Sequence, residues 1–335
     1  MSEINLPKVI FGTSGLGNLY VALPEDVKLA IVSECLAYSD GPAVFDSAGK
    51  YGAGLALESL GQCLSTLKVS PGEVIISNKL GWLRTELKSA EPTFEPGVWK
   101  ELSHDAVQKI NYDGILECYA QGNELLGNYP AKMVSVHDPD EYLAAAENAD
   151  DRQKRYRDIL DAYVALNELK ANGQVSAIGI GAKNWRVIEE ISSDVQLDWV
   201  MFANSLTVHS HPRELLQFMK KLQSKGVNII NSAIFNAGFL TGSDCYNYEF
   251  VSRASRPDLY TWRDLFYQVC ATYDLVPAAV CAAFVFHAPG VQSIALNTTN
   301  PSRVKTNTQL KDAYIPPAFW QDMRRLNLID HLYQI

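Results

Sequence analysis

The sequence predicts a closed (β/α)8 TIM barrel, an α/β fold with long loops at its C-terminal mouth. Three observations predict it. Eight short apolar runs recur along 335 residues, helical patterns separate them, and no complete glycine-rich nucleotide fingerprint follows the first run. The runs are Val9–Phe11, Ala43–Phe45, Val74–Ile76, Met133–Val136, Ala177–Ile180, Trp199–Phe202, Val227–Ile230 and Val291–Leu296. They are rich in Val and Ile with little polar alternation, as strands buried on both faces of a parallel sheet are.

The helices between them follow a 3.6-residue period. Leu57, Leu60, Leu64 and Leu67 share one face, as do Ile159, Ala162, Tyr163, Leu166 and Leu169. Leu215, Phe218, Met219 and Leu222 repeat the pattern, with Pro212 near the start and Gly226 past the end. A doubly wound sheet is the competing fold, and it would carry GxGxxG after its first strand. Gly12-Thr13-Ser14-Gly15-Leu16-Gly17-Asn18-Leu19-Tyr20 has Tyr where GxGxxG needs its third glycine, Gly179-Ile180-Gly181 lacks it too, and both read as turns at strand ends. No linker or shift in composition divides the chain, so residues 1–335 form one domain. Polar stretches at 83–105 and 241–260 read as long loops at the C-terminal mouth, where barrels build their sites.

Composition narrows the function. There are 38 acidic and 29 basic residues, a net charge of −9, and no Lys/Arg run. That disfavours nucleic acid and anionic membranes as partners. The N-terminus lacks the pattern of a signal peptide, with Pro7 and Lys8 interrupting it. The longest apolar run, Ala278 to Phe286, is far short of the ~20 residues a bilayer requires. Six cysteines form no CxxC pair, so the expectation is a reduced, cytoplasmic protein with no metal site.

Polar residues at the strand ends carry the chemistry. Strand two ends in Phe45-Asp46-Ser47-Ala48, with Tyr51 shortly after; strand three in Ser77-Asn78-Lys79; strand four in Val136-His137-Asp138-Pro139. Around one barrel mouth, Asp46, Tyr51, Lys79 and His137 converge. A free phenol titrates near 10. An ammonium at ~4 Å favours the phenolate by ~4 kcal/mol at an effective dielectric of ~20. Lys79 is therefore expected to lower the Tyr51 pKa, Asp46 to hold Lys79, and His137 to donate to a substrate oxygen. The set suits proton transfer at a carbonyl or alcohol oxygen while hydride moves at its carbon. It contains no hydride donor, which implies a nicotinamide cofactor.

The segments FDSAGKYG, NKLG and VHDPD resemble the aldo-keto reductase superfamily, whose tetrad is Asp, Tyr, Lys and His. The similarity runs from Val9 to about Asn307. Three segments resemble most closely the branch of L-fucose, L-galactose and D-threo-aldose 1-dehydrogenases. They are His137-Asp138-Pro139-Asp140, Asn111 to Leu116, and Phe235-Asn236-Ala237-Gly238-Phe239-Leu240.

The resemblance implies catalysis by Asp46, Tyr51, Lys79 and His137. It implies cofactor contacts at Gly12, Thr13, Asp46, Asn204, Ser232, Phe235, Asn236, Gly238, Leu240, Asn297, Thr298, Thr299, Arg303 and Asn307. Ser232 stands where relatives place an aromatic against the nicotinamide, and Asn204 and Phe235 are the candidates for that role. Gly181-Ala182-Lys183-Asn184 replaces the usual Ser-Asn of strand five. Asn300 as N-cap and Pro301 at N1 are expected to open a phosphate-binding helix. NADP-specific relatives carry Lys at the position of Asn297, so the expectation is NAD or NADP with a lean to NAD.

Single residues read more plainly. Trp82 and Trp99 are candidates for the substrate pocket or for packing. His209-Ser210-His211 leads into a helix and lacks acidic ligand partners. His104 and His287 read as surface or loop residues. Three functions remain: an NAD(P)-dependent aldose 1-dehydrogenase acting on a small sugar, an aldehyde or ketone reductase, and a non-catalytic cofactor-binding barrel.

Overall fold

The computed structural model describes residues 5–333. The eight expected runs are eight parallel strands: β1 (Val9–Gly12), β2 (Ala43–Ala48), β3 (Val74–Leu80), β4 (Met133–His137), β5 (Ala177–Ala182), β6 (Trp199–Ala203), β7 (Asn228–Ser232) and β8 (Val291–Leu296). They close into a barrel in chain order, with β8 pairing back onto β1.

Side chains alternate across a strand, so one parity faces the barrel interior. The lower interior is filled by Ile10, Val44, Met133, Ala177, Trp199, Met201 and Ile230, with Ile75 and Ala295 against them. Two and four residues further along the same parity come Asp46, Ser77, Lys79 and His137. The inner face thus changes from apolar to polar one layer up. The opposite parity, including Val9, Phe11, Phe45 and Ile76, packs outward against the helices in the main core.

Gly179 and Gly181 lie inside β5, not in a turn as expected. The reason is Trp199 on the neighbouring strand: a Cβ on Gly179 would stand 2.2 Å from its indole ring. Glycine here makes room for the large side chain that fills the barrel's centre.

The two long polar stretches are more ordered than expected. Residues 83–105 contribute to an antiparallel pair, Trp82–Glu86 with His104–Gln108. Residues 241–260 include a short hairpin, Cys245–Tyr246 with Glu249–Phe250, and the start of the Pro257–Thr272 helix. Both ribbons stand outside the barrel and carry polar residues, so the apolar-run criterion passes over them. Helices Leu55–Thr66, Ala149–Ala171 and Arg213–Ser224 carry the expected apolar faces. Asn111 caps the Tyr112–Leu126 helix by accepting from the Gly114 N–H at 2.7 Å. Among the described residues no single helix is long and apolar enough to cross a membrane.

Candidate active site

A cavity of about 250 Å³ opens at the C-terminal ends of the strands. Its wall includes Tyr51, Lys79, His137, Gly181, Met201 and Ser232. Its rim is formed by Leu19, Tyr20, Lys50, Glu95, Val98, Trp99, Asp138, Lys183 and Tyr248.

Lys79 Nζ donates to Asp46 Oδ2 at 2.5 Å, and both side chains are nearly buried. The same ammonium lies 4.7 Å from the centre of the Tyr51 ring. Tyr51 meets the His137 ring edge-on at 5.6 Å and the Trp99 ring at 5.8 Å. The four residues identified from strand ends therefore stand together. Tyr51 sits beyond β2 in a tight turn braced against the first βα loop. Gly52, at φ 61°, lets the turn approach so closely that a Cβ there would be 2.3 Å from the Gly17 carbonyl oxygen.

The electrostatics of Tyr51 differ from expectation. Burial of its hydroxyl pushes the pKa well above the ordinary value, and the charges of Asp46 and Asp138 push the same way. The expected lowering rests on the Lys79 cation. In the structure that cation is paired with Asp46, whose negative charge offsets it, and desolvation decides the sign. Lys50 pulls in the lowering direction. Burial, then the charges of Lys79 and Lys50, holds His137 well below the ordinary histidine value. The ring is therefore neutral at physiological pH and can donate one hydrogen bond. Its Nδ1 is buried with no partner.

A network at the rim ties four loops together. Lys50 Nζ lies 2.8 Å from Glu95 Oε1, 2.9 Å from Glu141 Oε2 and 3.7 Å from Asp138 Oδ2. Burial alone would depress the Lys50 pKa, but Asp138, Glu95 and Glu141 hold it above its ordinary value. Lys183 pairs with Glu141 as well. Asp140 fixes the loop after β5, accepting from the Lys183 N–H at 3.1 Å and the Asn184 N–H at 2.8 Å. Asn184 in turn caps the next helix, accepting from the Arg186 N–H. Sequence reasoning missed Lys50, Glu95, Lys183 and Tyr248 as site residues. Lys50 and Lys183 adjoin strand ends already singled out. Glu95 and Tyr248 arrive from the outer loops.

The candidate cofactor residues divide. Ser232 lines the cavity, and its hydroxyl donates to the Phe202 carbonyl. Asn204, beside it, has a buried Oδ1 without a partner, as has Asp46 with Oδ1. Such orphaned atoms beside the cavity suit the amide and ribose hydroxyls of a nicotinamide nucleoside. Thr13 is buried and donates to the Asp46 carbonyl. Gly12, Thr298 and Asn307 line a second, smaller cleft between β1, β8 and the following helix. Asn297 Oδ1 accepts from the Gly15 N–H at 3.3 Å, linking the first and last βα loops. Thr299 and Arg303 are exposed.

Other expectations change. The helix after β8 is Arg303–Gln309, so Asn300 is not its N-cap and Pro301 is not its first residue. Asn300 instead closes a local turn, with Oδ1 accepting from the Ser302 N–H and hydroxyl. Leu240 and Asn236 are fully buried away from the cavity. Leu240 is in the core, and Asn236 Nδ2 donates to Asn247. Gly238 forms a turn with φ 91°, and Phe235 packs at the edge of the core. Trp99 lines the cavity, whereas Trp82 packs against Phe94 behind it. His104 stands within an outer strand. His209 is enclosed by Tyr246 and Trp262, and His211 Nε2 accepts from the Asp330 N–H, so the two histidines serve packing.

Comparisons with known proteins agree with this architecture. A pyridoxal 4-dehydrogenase from Microbacterium luteolum is 24% identical over 328 residues, 95% of this chain and 93% of that protein. A D-threo-aldose 1-dehydrogenase from a Pseudomonas species is 24% identical over 332 residues, 97% and 95% of the two chains. The holo form of a Bacillus halodurans aldo-keto reductase superposes with a TM-score of 0.69 at 17% identity, covering 98% of this chain and 95% of that one. A glycerol dehydrogenase from Gluconobacter oxydans superposes equally well, 0.69 at 15%, over 100% and 98%. The aldo/keto reductase family pattern matches residues 8–328, so the chain belongs to that family of NAD(P)-dependent oxidoreductases.

Proposed function

We propose that the protein is an NAD(P)-dependent aldose 1-dehydrogenase. It would oxidise the C1 hydroxyl of a cyclic sugar such as L-fucose or L-galactose to the lactone. The observation that carries this reading is the convergence of Tyr51, Lys79–Asp46 and His137 on one cavity whose rim sets Lys50, Glu95, Asp138 and Lys183 among aromatic and apolar side chains. Charged acceptors and donors at a rim suit a substrate covered in hydroxyls. The sugar specificity of the Pseudomonas relative supports the same direction.

The nicotinamide, when bound, supplies the hydride acceptor. Orphaned atoms at Asn204 and Asp46 and the hydroxyl of Ser232 are the groups offered to it. Tyr51 takes the proton from the C1 hydroxyl oxygen. Lys79 and Lys50 stabilise the resulting phenolate, and Asp46 keeps Lys79 in place. Neutral His137 donates to the substrate oxygen and orients it. The cofactor choice proposed is relaxed with a lean to NAD, because Asn297 offers no cation.

A second reading is favoured by the raised Tyr51 pKa: a phenol that stays protonated is a ready acid for reducing an aldehyde or ketone. Absorbance at 340 nm separates the two. L-fucose with oxidised cofactor should give rising absorbance. Turnover confined to a simple aldehyde with reduced cofactor would select the reductase.

A further inference from the structure

The cavity rim carries a carboxylate for which the tetrad gives no role. Asp138 follows His137 directly, in left-handed backbone at φ 45°. Continued extended strand would send residue 138 to the outer face, away from His137. The left-handed turn keeps its carboxylate on the cavity side, and Asp is among the few residues that tolerate that conformation. Asp138 Oδ2 lies 3.6 Å from His137 Nε2, 3.7 Å from Lys50 Nζ and 4.0 Å from Lys183 Nζ. All three are beyond good hydrogen-bond length. Lys50 takes its close partners from Glu95 and Glu141, and Lys183 from Glu141. The Asp138 carboxylate therefore lines the cavity as an acceptor with room for a donor, beside His137 Nε2.

We propose that Asp138 is a specificity-determining residue that selects substrates bearing a hydroxyl on the carbon next to the reacting one. The inference rests on the oxidoreductase reading above and deepens it. With the reacting oxygen between Tyr51 and His137, the oxygen on the adjacent carbon falls beside Asp138. An ionised carboxylate only accepts, so it favours a hydroxyl over a hydrogen or an ether there and repels an anionic group. Sugars and 2-hydroxyaldehydes meet this requirement. Simple aldehydes and 2-deoxy sugars do not.

The test is a ratio of kcat/KM values within matched pairs: lactaldehyde against propanal with reduced cofactor, and L-fucose against 2-deoxy-L-fucose with oxidised cofactor. Asp138→Gly keeps the left-handed turn and removes the acceptor; Asp138→Asn keeps the turn and removes the charge. The wild type should prefer the hydroxylated member of each pair it turns over. Asp138→Gly should reduce that preference roughly ten- to hundredfold, the worth of one charge-assisted hydrogen bond, and Asp138→Asn by less. Glu141 does not itself line the cavity, and Glu141→Gln, which keeps the side chain's shape beside the same two lysines, should keep the ratio. No wild-type preference, an unchanged ratio in both Asp138 variants, or an equal fall in Glu141→Gln would each overturn the inference. Preference among aldehydes without any sugar oxidation would overturn the aldose reading and support the role of Asp138.

Discussion

The Lys79 ammonium lies 4.7 Å from the centre of the Tyr51 ring while its short bond goes to Asp46. Its charge is shared between a phenol and a carboxylate. Tyr51 is the proposed proton-transfer group, so Tyr51→Phe should lower kcat about 10²–10⁴-fold. Cofactor binding, followed by quenching of tryptophan fluorescence, should persist. A variant with more than a tenth of wild-type kcat would remove Tyr51 from the chemistry.

Lys79→Met should move the alkaline rise in oxidation rate to higher pH, since the phenolate loses its neighbouring cation. It should also lower Tm, because removing one partner of a buried ion pair costs about 3–5 kcal/mol. Asp46→Asn should shift the profile less, acting through the position of Lys79. Superimposable pH–rate profiles for Lys79→Met and wild type would show that Lys79 does not tune Tyr51.

Acid should destabilise the fold through its enclosed histidines. Burial takes His209 down to about 4, and His137 is also depressed, mainly by burial. An unfolded histidine binds its proton near 6.5, so between there and the folded value only the unfolded chain is protonated. The contribution is present above about 6.5 and is lost as pH falls toward 4. Chemical denaturation at pH 7.5 and 5 should show the decline. His209→Gln should show a shallower one, and an identical slope would exclude His209 as a contributor.

Asn297→Lys should raise the NADP/NAD ratio of kcat/KM about tenfold to hundredfold by adding a cation for the 2′-phosphate. The substitution also removes the bond to the Gly15 N–H, so some loss with NAD is expected. A wild type that already prefers NADP by more than a hundredfold would show that Arg303 and neighbouring groups suffice.

Gly179→Ala should destabilise the barrel by at least ~1–3 kcal/mol, because the new methyl meets the Trp199 indole in a packed centre. Thermal unfolding measures it. A Tm equal to the wild type would mean that Trp199 moves freely, contrary to its complete burial.

The eight strands were legible because each carries a short run that is mainly apolar. The upper ends of β2 and β3 were not. β2 continues through Asp46 to Ala48, and β3 through Lys79 to Leu80, because the inner face turns polar while pairing continues. The apolar criterion stops where the site begins. Asp46, Lys79 and His137 were found from their place at those boundaries. Lys50 was hidden because a lysine beside Tyr51 reads as surface, and only the carboxylates of distant loops make its burial possible. The sign of the Tyr51 shift was misjudged because sequence gives neighbours but not the depth of burial.

Trp199 acts as a stopper in the barrel. With Met133, Ile230 and Ile10 packed around it, the described interior below the cavity is filled. The depth to which anything can enter from the mouth is therefore set by a single indole and the glycine that makes room for it.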